Sequence, residues 1–292
     1  MTDPRLFPGT DRIVWEGWGG EAPGRTRIPG RRMGCTRTVA PLAARPGGPR
    51  ERELVLHEGF VVLEARDGWC FGFAERCGYV GWMRAADLRE DPLPPTHVVA
   101  TRQSYAFDVP ELKAGAVPEP VSFGTRLAVG ARHEGGRWGE AARLRTEDDG
   151  IDPHRTVYLP AAHLRPLDVR PQDPVAVAEL FLGTPYLWGG NSGFGIDCSG
   201  LVQGALLACG IACPGDADLQ EESVGEVLPE GEPPRRGDLL FWKGHVALMA
   251  DAETILHANA TDMAVAFEDL DAACARIAAA GDGPVRTRRR LG

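Results

Sequence analysis

The sequence predicts a multidomain chain of two small all-β barrels followed by an α+β domain, and three observations predict it. Gly and Pro supply 37 and 24 of the 292 residues without any period, a turn content that favours many short strands over a helical bundle. Strand-like text gives way to helix-like text across Arg165–Pro174, ten residues with three prolines. Charge divides at the same place. From Asp173 onward there are 18 acidic and 8 basic side chains, net −10, against 23 and 24, net +1, before it.

Composition narrows the function classes. The chain carries a net charge of −9 and a pI near 5.3, and of its 32 basic residues only Lys113 and Lys243 are lysine, so nucleic acid is not an expected partner. No stretch approaches the roughly 18 apolar residues of a membrane helix. Residues Met1–Gly20 hold Asp3, Asp11 and Glu16 and lack a basic start followed by an apolar core, so no secretion signal is visible and a cytoplasmic location is expected. Seven cysteines, an odd number, then read as reduced thiols.

Before the boundary, Glu53–Leu56, Gly59–Glu64, Gly68–Cys70 and Gly78–Met83 are short strands closed by Ala86-Asp-Leu88. Gly124–Gly130, Gly136–Glu140 and Thr156–Leu159 repeat the plan, and Ala161–Leu164 echoes Arg84–Leu88. Gly59-x-x-Val62, Asp67-Gly-Trp69, Gly78-Tyr-Val-Gly-Trp82 and the closing Asp87-Leu88 resemble a bacterial SH3 (SH3b) domain over residues 35–92. Residues 95–168 are similar to a second, divergent copy, with Arg137-Trp138 in place of Gly68-Trp69. Residues 1–34 form an N-terminal extension in which Ile13–Trp18 suits an edge strand or a segment packed on a barrel.

After the boundary, Asp173–Leu182 is helix text and Gly183-Thr-Pro-Tyr-Leu-Trp-Gly-Gly190 is a loop whose glycines permit close backbone approach. Leu201, Val202, Ala205, Leu206 and Cys209 make one apolar helical stripe ending at Gly210, which puts Cys198 at a helix N-terminus. There the unpaired N–H groups and the helix dipole favour thiolate over thiol.

A nucleophilic cysteine needs a base and a group that orients the base. Asp238–Trp242, His245–Ala250 and Thr254–Ala258 read as successive strands. If Asp251–Glu253 connects the last two, Ala250 pairs with Thr254 and Ala247 with His257, which puts His245 and His257 on one sheet face. Diagonal neighbours there lie about 7–8 Å apart, within reach for two imidazoles.

Four ordered elements, Thr184-Pro-Tyr-x-Trp-Gly-Gly190, Asp197-Cys-Ser-Gly200, Arg236-Gly-Asp-Leu-Leu-Phe241 with His245-Val246, and Leu256-His-Ala258, make residues 169–292 similar to an NlpC/P60 cysteine peptidase domain of papain-like fold. The resemblance implies Cys198 as nucleophile, His245 as general base and His257 as the residue orienting it. Tyr186 would join the Cys198 backbone N–H in stabilising the oxyanion. It implies peptidoglycan-derived peptides as substrates, cut between γ-D-glutamate and a diamino acid, as in murein peptide recycling. The preceding SH3b domains resemble those of dipeptidyl-peptidase members that accept a free N-terminal L-Ala. Asp197 and Ser199 would read the amine, Trp188 would line the substrate site and Tyr79 would close its far end.

Other readings stay open. A wall-peptide binding module with a vestigial cysteine site, or an amidase or acyltransferase of the same fold, would use the same text. Cys209 with Cys213, and Cys70 with Cys77, lack the second ligand pair of a zinc site, so no metal or cofactor is expected. His57, His97, His133, His154 and His163 read as surface residues, and Trp69, Trp82 and Trp138 as barrel core before ligand platform. Arg286–Arg290 reads as a solvated tail, with salt bridges to the acidic domain as the alternative.

Overall fold

The computed structural model describes residues 3–91, 93–146 and 152–292, so two expected domain limits, residues 1 and 92, lie outside it. The chain divides into two compact units, one running to Asp168 and the other starting at Val169.

The first unit opens with a parallel pair, β1 (Ile13–Trp15) and β2 (Thr26–Ile28). A seven-stranded sheet follows from β3 (Arg31–Cys35), β4 (Val39–Ala43), β5 (Arg50–Val55), β6 (Gly59–Arg66), β7 (Trp69–Ala74), β8 (Val80–Arg84) and β9 (Leu88–Arg89), in the order β5-β4-β8-β7-β6-β3-β9. Side chains alternate across it: Phe60, Val62, Cys70 and Ala74 enter the inner core, while Val61, Leu63, Phe71 and Phe73 face outward. That outer face is apolar because Ile13, Trp15 and Ile28 cover it. Within the expected extension, β1 and β2 thus pack on the sheet, and β3, which begins at Arg31, is one of its strands.

A second sheet contains β10 (His97–Val99), β13 (Arg126–His133), β14 (Trp138–Leu144), β15 (His154–Pro160) and β16 (Leu164–Pro166), accompanied by the hairpin β11 (Gln103–Ala106) and β12 (Glu119–Ser122). Its core gathers Val99, Val121, Leu127, Val157 and Leu159. Two histidines expected at the surface are instead built in. His57, in left-handed backbone (φ 65°), accepts the Leu144 backbone N–H on Nε2 at 2.9 Å, so its proton sits on Nδ1, 2.7 Å from Asp91 Oδ2. His154 Nε2 stands 2.8 Å from Asp91 Oδ1. One carboxylate thus bonds both rings, which is what allows His57 to be buried and His154 to be largely enclosed there.

The second unit is a six-stranded antiparallel sheet of β19 (Glu226–Val227), β20 (Leu239–Trp242), β21 (His245–Met249), β22 (Thr254–Asn259), β23 (Ala264–Asp269) and β24 (Thr287–Arg290), ordered β19-β24-β20-β21-β22-β23. The short hairpin β17 (Asn191–Ser192) and β18 (Gly195–Ile196) lies outside it. Four helices complete the unit: α1 (Pro174–Glu179), α2 (Cys198–Cys209), α3 (Ala217–Ser223) and α4 (Leu270–Ala280). Asp173, Asp197 and Asp269 cap α1, α2 and α4 by accepting a first-turn N–H. Leu240, Trp242, Ala247, Met249 and Ile255 pack on Ala273 and Ile277 of α4. α2 packs on α1, β21 and β22. Arg236 ties α1 to the sheet through Asp173, Glu179 and the Ala250 carbonyl.

The arginine run is a strand, not a tail. β24 pairs Thr287, Arg288 and Arg289 with Phe241, Leu240 and Leu239, and Arg290 donates to both oxygens of buried Asp238 at 2.8 Å. The salt-bridge alternative is the one observed.

Candidate active site

The loop before Cys198 is fixed from both sides. Gly183 N–H donates to Val265 O, Val265 N–H to Thr184 O and Tyr186 N–H to Met263 O, so Gly183–Tyr186 lies along the free edge of β23. Asp197 fastens the other end: Oδ2 accepts the Gly189 N–H at 3.0 Å, and Oδ1 accepts the Gly200 N–H at 2.6 Å and the Ser199 hydroxyl at 2.9 Å. Gly200 is required by close approach, because a Cβ there would collide with the Gly190 carbonyl oxygen. Cys198 is the first residue of α2 and is 6% exposed, and the helix ends in a left-handed Gly210. Tyr186 is half-buried. Burial raises its phenol pKa first, followed by the nearby Cys198 and Asp197, so the hydroxyl keeps its proton and remains a donor. Trp188 projects from the same loop, 69% exposed.

The two histidines meet on the sheet. Leu248 pairs with Leu256 and Met249 with Ile255, a register that puts Ala247 opposite His257. His245 Nε2 then stands 2.9 Å from His257 Nδ1, and the rings meet edge-on. Trp242, paired with His245 across the turn, packs its ring 5.7 Å from the imidazole. Burial, aided by His257 and Arg276 against an opposing pull from Glu268, lowers the His245 pKa to about 3. Burial lowers His257 as well, opposed by Glu268. Both rings are neutral near pH 7, the state a proton acceptor needs.

Beyond the pair lies a polar shell. His257 Nε2 is 3.1 Å from Asn259 Nδ2 and 3.1 Å from Glu268 Oε2. Glu268 takes two bonds from Arg276, Nε at 2.8 Å and Nη2 at 2.6 Å. No group of side chains suited to a metal ion occurs among the described residues.

Residues 183–278 match the model of the NlpC/P60 family, and residues 42–88 that of the bacterial dipeptidyl-peptidase Sh3 domain. The chain carries an NlpC/P60 domain behind a bacterial SH3 domain. Over 197 residues, 64% of this chain, it is 31% identical to a gamma-D-glutamyl-L-lysine dipeptidyl-peptidase of Bacillus subtilis, spanning 62% of that protein. Over 101 residues, 34% of the chain, it is 39% identical to dipeptidyl-peptidase 6 of Lysinibacillus sphaericus, spanning 36% of it. A solved NlpC/P60 family protein from Bacillus cereus superposes with a TM-score of 0.73 at 20% identity, covering 89% of this chain and 99% of that one, a likeness of fold.

Within the NlpC/P60 domain Ser199 bonds Asp197, Tyr186 lies near Asp197 and Cys198, His245 bonds His257, and α2, which begins at Cys198, packs on β21 and β22, the strands that carry the two histidines. Asp197 and Ser199, expected to face substrate, bond each other in the helix cap. Tyr79 is in the SH3 domain's inner core, 3% exposed with the Arg52 guanidinium 5.7 Å over its ring, where a cleft-lining position was expected. Sequence reasoning missed Asn259, Glu268 and Arg276. Asn259 shares the face of His257 by alternation along β22, a signal present in the sequence, whereas Glu268 reaches that face only through the β22–β23 register, in which His257 pairs with Ala266.

Proposed function

We propose that this chain is a cysteine peptidase that hydrolyses the γ-D-glutamyl–diamino acid bond of peptidoglycan-derived peptides bearing a free N-terminal L-Ala, in cell-wall peptide recycling. The observation that carries the reading is Cys198 at the capped N-terminus of α2 in a domain that also holds a hydrogen-bonded, neutral His245–His257 pair. His245 takes the thiol proton and Sγ attacks the γ-carbonyl carbon. The Cys198 N–H and the Tyr186 hydroxyl hold the resulting oxyanion. Collapse breaks the C–N bond, His245 returns the proton to the departing amine and a thioester remains. Water, deprotonated by His245, then releases L-Ala-D-Glu and restores the thiol.

Asp197 and Ser199 are assigned to the L-Ala amine on the strength of their place beside Cys198 and the net −10 of this region, with Trp188 as a wall of the site. The second sheet reads as a divergent second SH3b barrel. In support, β3, β6, β7, β8 and β9 pair as β10, β13, β14, β15 and β16 do, and β4–β5 corresponds to β11–β12.

Mass spectrometry of wild type and Cys198→Ala with L-Ala-γ-D-Glu-meso-diaminopimelate, its L-Lys counterpart and their N-acetyl forms tests the proposal. Release of L-Ala-D-Glu by wild type from free-amine peptides alone is expected. Cleavage of acetylated peptides would remove the amine assignment, and no cleavage would favour a binding module.

A further inference from the structure

The Nε2 atom of His257 has two neighbours of opposite kind at the same distance. Asn259 presents an N–H: its Oδ1 accepts the Thr261 and Asp262 backbone N–H groups at 2.9 and 2.8 Å and its Nδ2 donates to Asp262 Oδ2 at 2.9 Å, so its amide cannot turn over without losing all three bonds. Glu268 presents a carboxylate oxygen, held by the two-point contact with Arg276. A neutral imidazole nitrogen is either donor or acceptor, so Nε2 satisfies one neighbour at a time.

The choice propagates. If Nε2 accepts from Asn259, the His257 proton lies on Nδ1 and is donated to His245 Nε2. Neutral His245 then carries its own proton on Nδ1 and has no lone pair left for a thiol. If Nε2–H donates to Glu268, His257 Nδ1 accepts from His245 Nε2–H, and His245 Nδ1 is open to take a proton. In the second arrangement the imidazolium formed when Cys198 gives up its proton keeps the same Nε2–H bond to His257, so no further proton moves.

We propose that Glu268, aimed by Arg276, is a positioning residue that selects the base-competent tautomer of the His245–His257 pair by accepting the Nε2 proton of His257. The inference rests on His245 being the general base. The contest with Asn259 is what makes Glu268 necessary: remove it and a donor remains that favours the wrong tautomer.

Long-range imidazole 1H–15N correlation spectra of the full chain report which ring nitrogen carries each proton. Wild type is expected to show His257 and His245 both protonated at Nε2, and Glu268→Ala to move the His257 proton to Nδ1. In peptide hydrolysis, Glu268→Ala is expected to lower kcat by roughly 10²–10⁴-fold, the scale of general acid–base catalysis, with KM nearly unchanged. Glu268→Gln keeps an acceptor oxygen and is expected to recover part of the loss. A wild-type His257 proton on Nδ1 overturns the proposal even if Glu268→Ala does not fold, and so does a Glu268→Ala chain that keeps the Nε2 tautomer. If no wall peptide is cleaved, the spectra and the rate of Cys198 alkylation by iodoacetamide still decide the role of Glu268, so its failure is separate from that of the peptidase reading.

Discussion

One oxygen of the Asp197 carboxylate holds the Gly189 N–H at 3.0 Å while the other holds the Gly200 N–H at 2.6 Å, so a single side chain joins the Tyr186 loop to the first turn of α2. Asp197→Ala is expected to cost about 0.5–2 kcal/mol for the lost cap, read by chemical denaturation. It should lower kcat for the free-amine peptide and raise its KM as well. A lowered kcat with KM unchanged would confine Asp197 to its capping role.

Gly200→Ala pushes a methyl group into the Gly190 carbonyl oxygen and against Asn191 Oδ1 and Asp197 Oδ1, 2.9 and 3.1 Å from the new Cβ. About 1–3 kcal/mol of stability should go, with most of the activity, because the displaced Gly190 carbonyl accepts the N–H of Asp197, the residue before Cys198. Wild-type kcat in this variant would show that the loop tolerates movement.

Tyr186→Phe removes the hydroxyl proposed as an oxyanion donor and leaves the packing intact. The expected loss is about 10²–10³-fold in kcat, measured under saturating peptide. A loss confined to KM would reassign the tyrosine to substrate binding.

His245 supplies a pH dependence of known direction. Burial holds its pKa near 3 in the folded chain, far below its ordinary value of 6.5. Between those values the unfolded chain binds a proton that the folded chain does not, so this contribution to stability is fully present above pH 6.5 and is lost as pH falls toward 3. Denaturation of wild type and His245→Asn from pH 7 to 4 should show the steeper decline in wild type. Parallel curves would mean that the ring ionises freely.

In the SH3-containing unit, His57→Ala removes the acceptor of the Leu144 N–H. Hydrogen exchange at Leu144 should accelerate while amides in β6 and β7 keep their protection. Unchanged exchange at Leu144 would mean that the bond contributes nothing to local order.

Much of the site was legible in the sequence because local rules govern it. The apolar stripe of α2 and Gly210 place Cys198 at a helix start, and a three-residue connection sets the β21–β22 register that aligns His245 with His257. The rest depends on partners far along the chain. Glu268 and Arg276 have no periodic signature and become neighbours only once β23 runs back along β22 into α4. Thr287–Arg290 lacks the alternation that marks a strand, and its place follows from the backbone of β20 and the buried carboxylate of Asp238. His57 and His154 read as surface residues because the group that draws them inward, Asp91, is 34 and 63 residues away.

The Gly183–Tyr186 segment has a second consequence. A bare outer strand is a template on which another polypeptide can continue a sheet, and proteins blunt such borders by covering or shortening them. Here the backbone around Tyr186 occupies the border at β23, and the opposite border ends in the two-residue strand Glu226–Val227. Substitutions that loosen the tyrosine's backbone would therefore expose a sticky seam as well as impair turnover, coupling chemical competence to resistance against self-association.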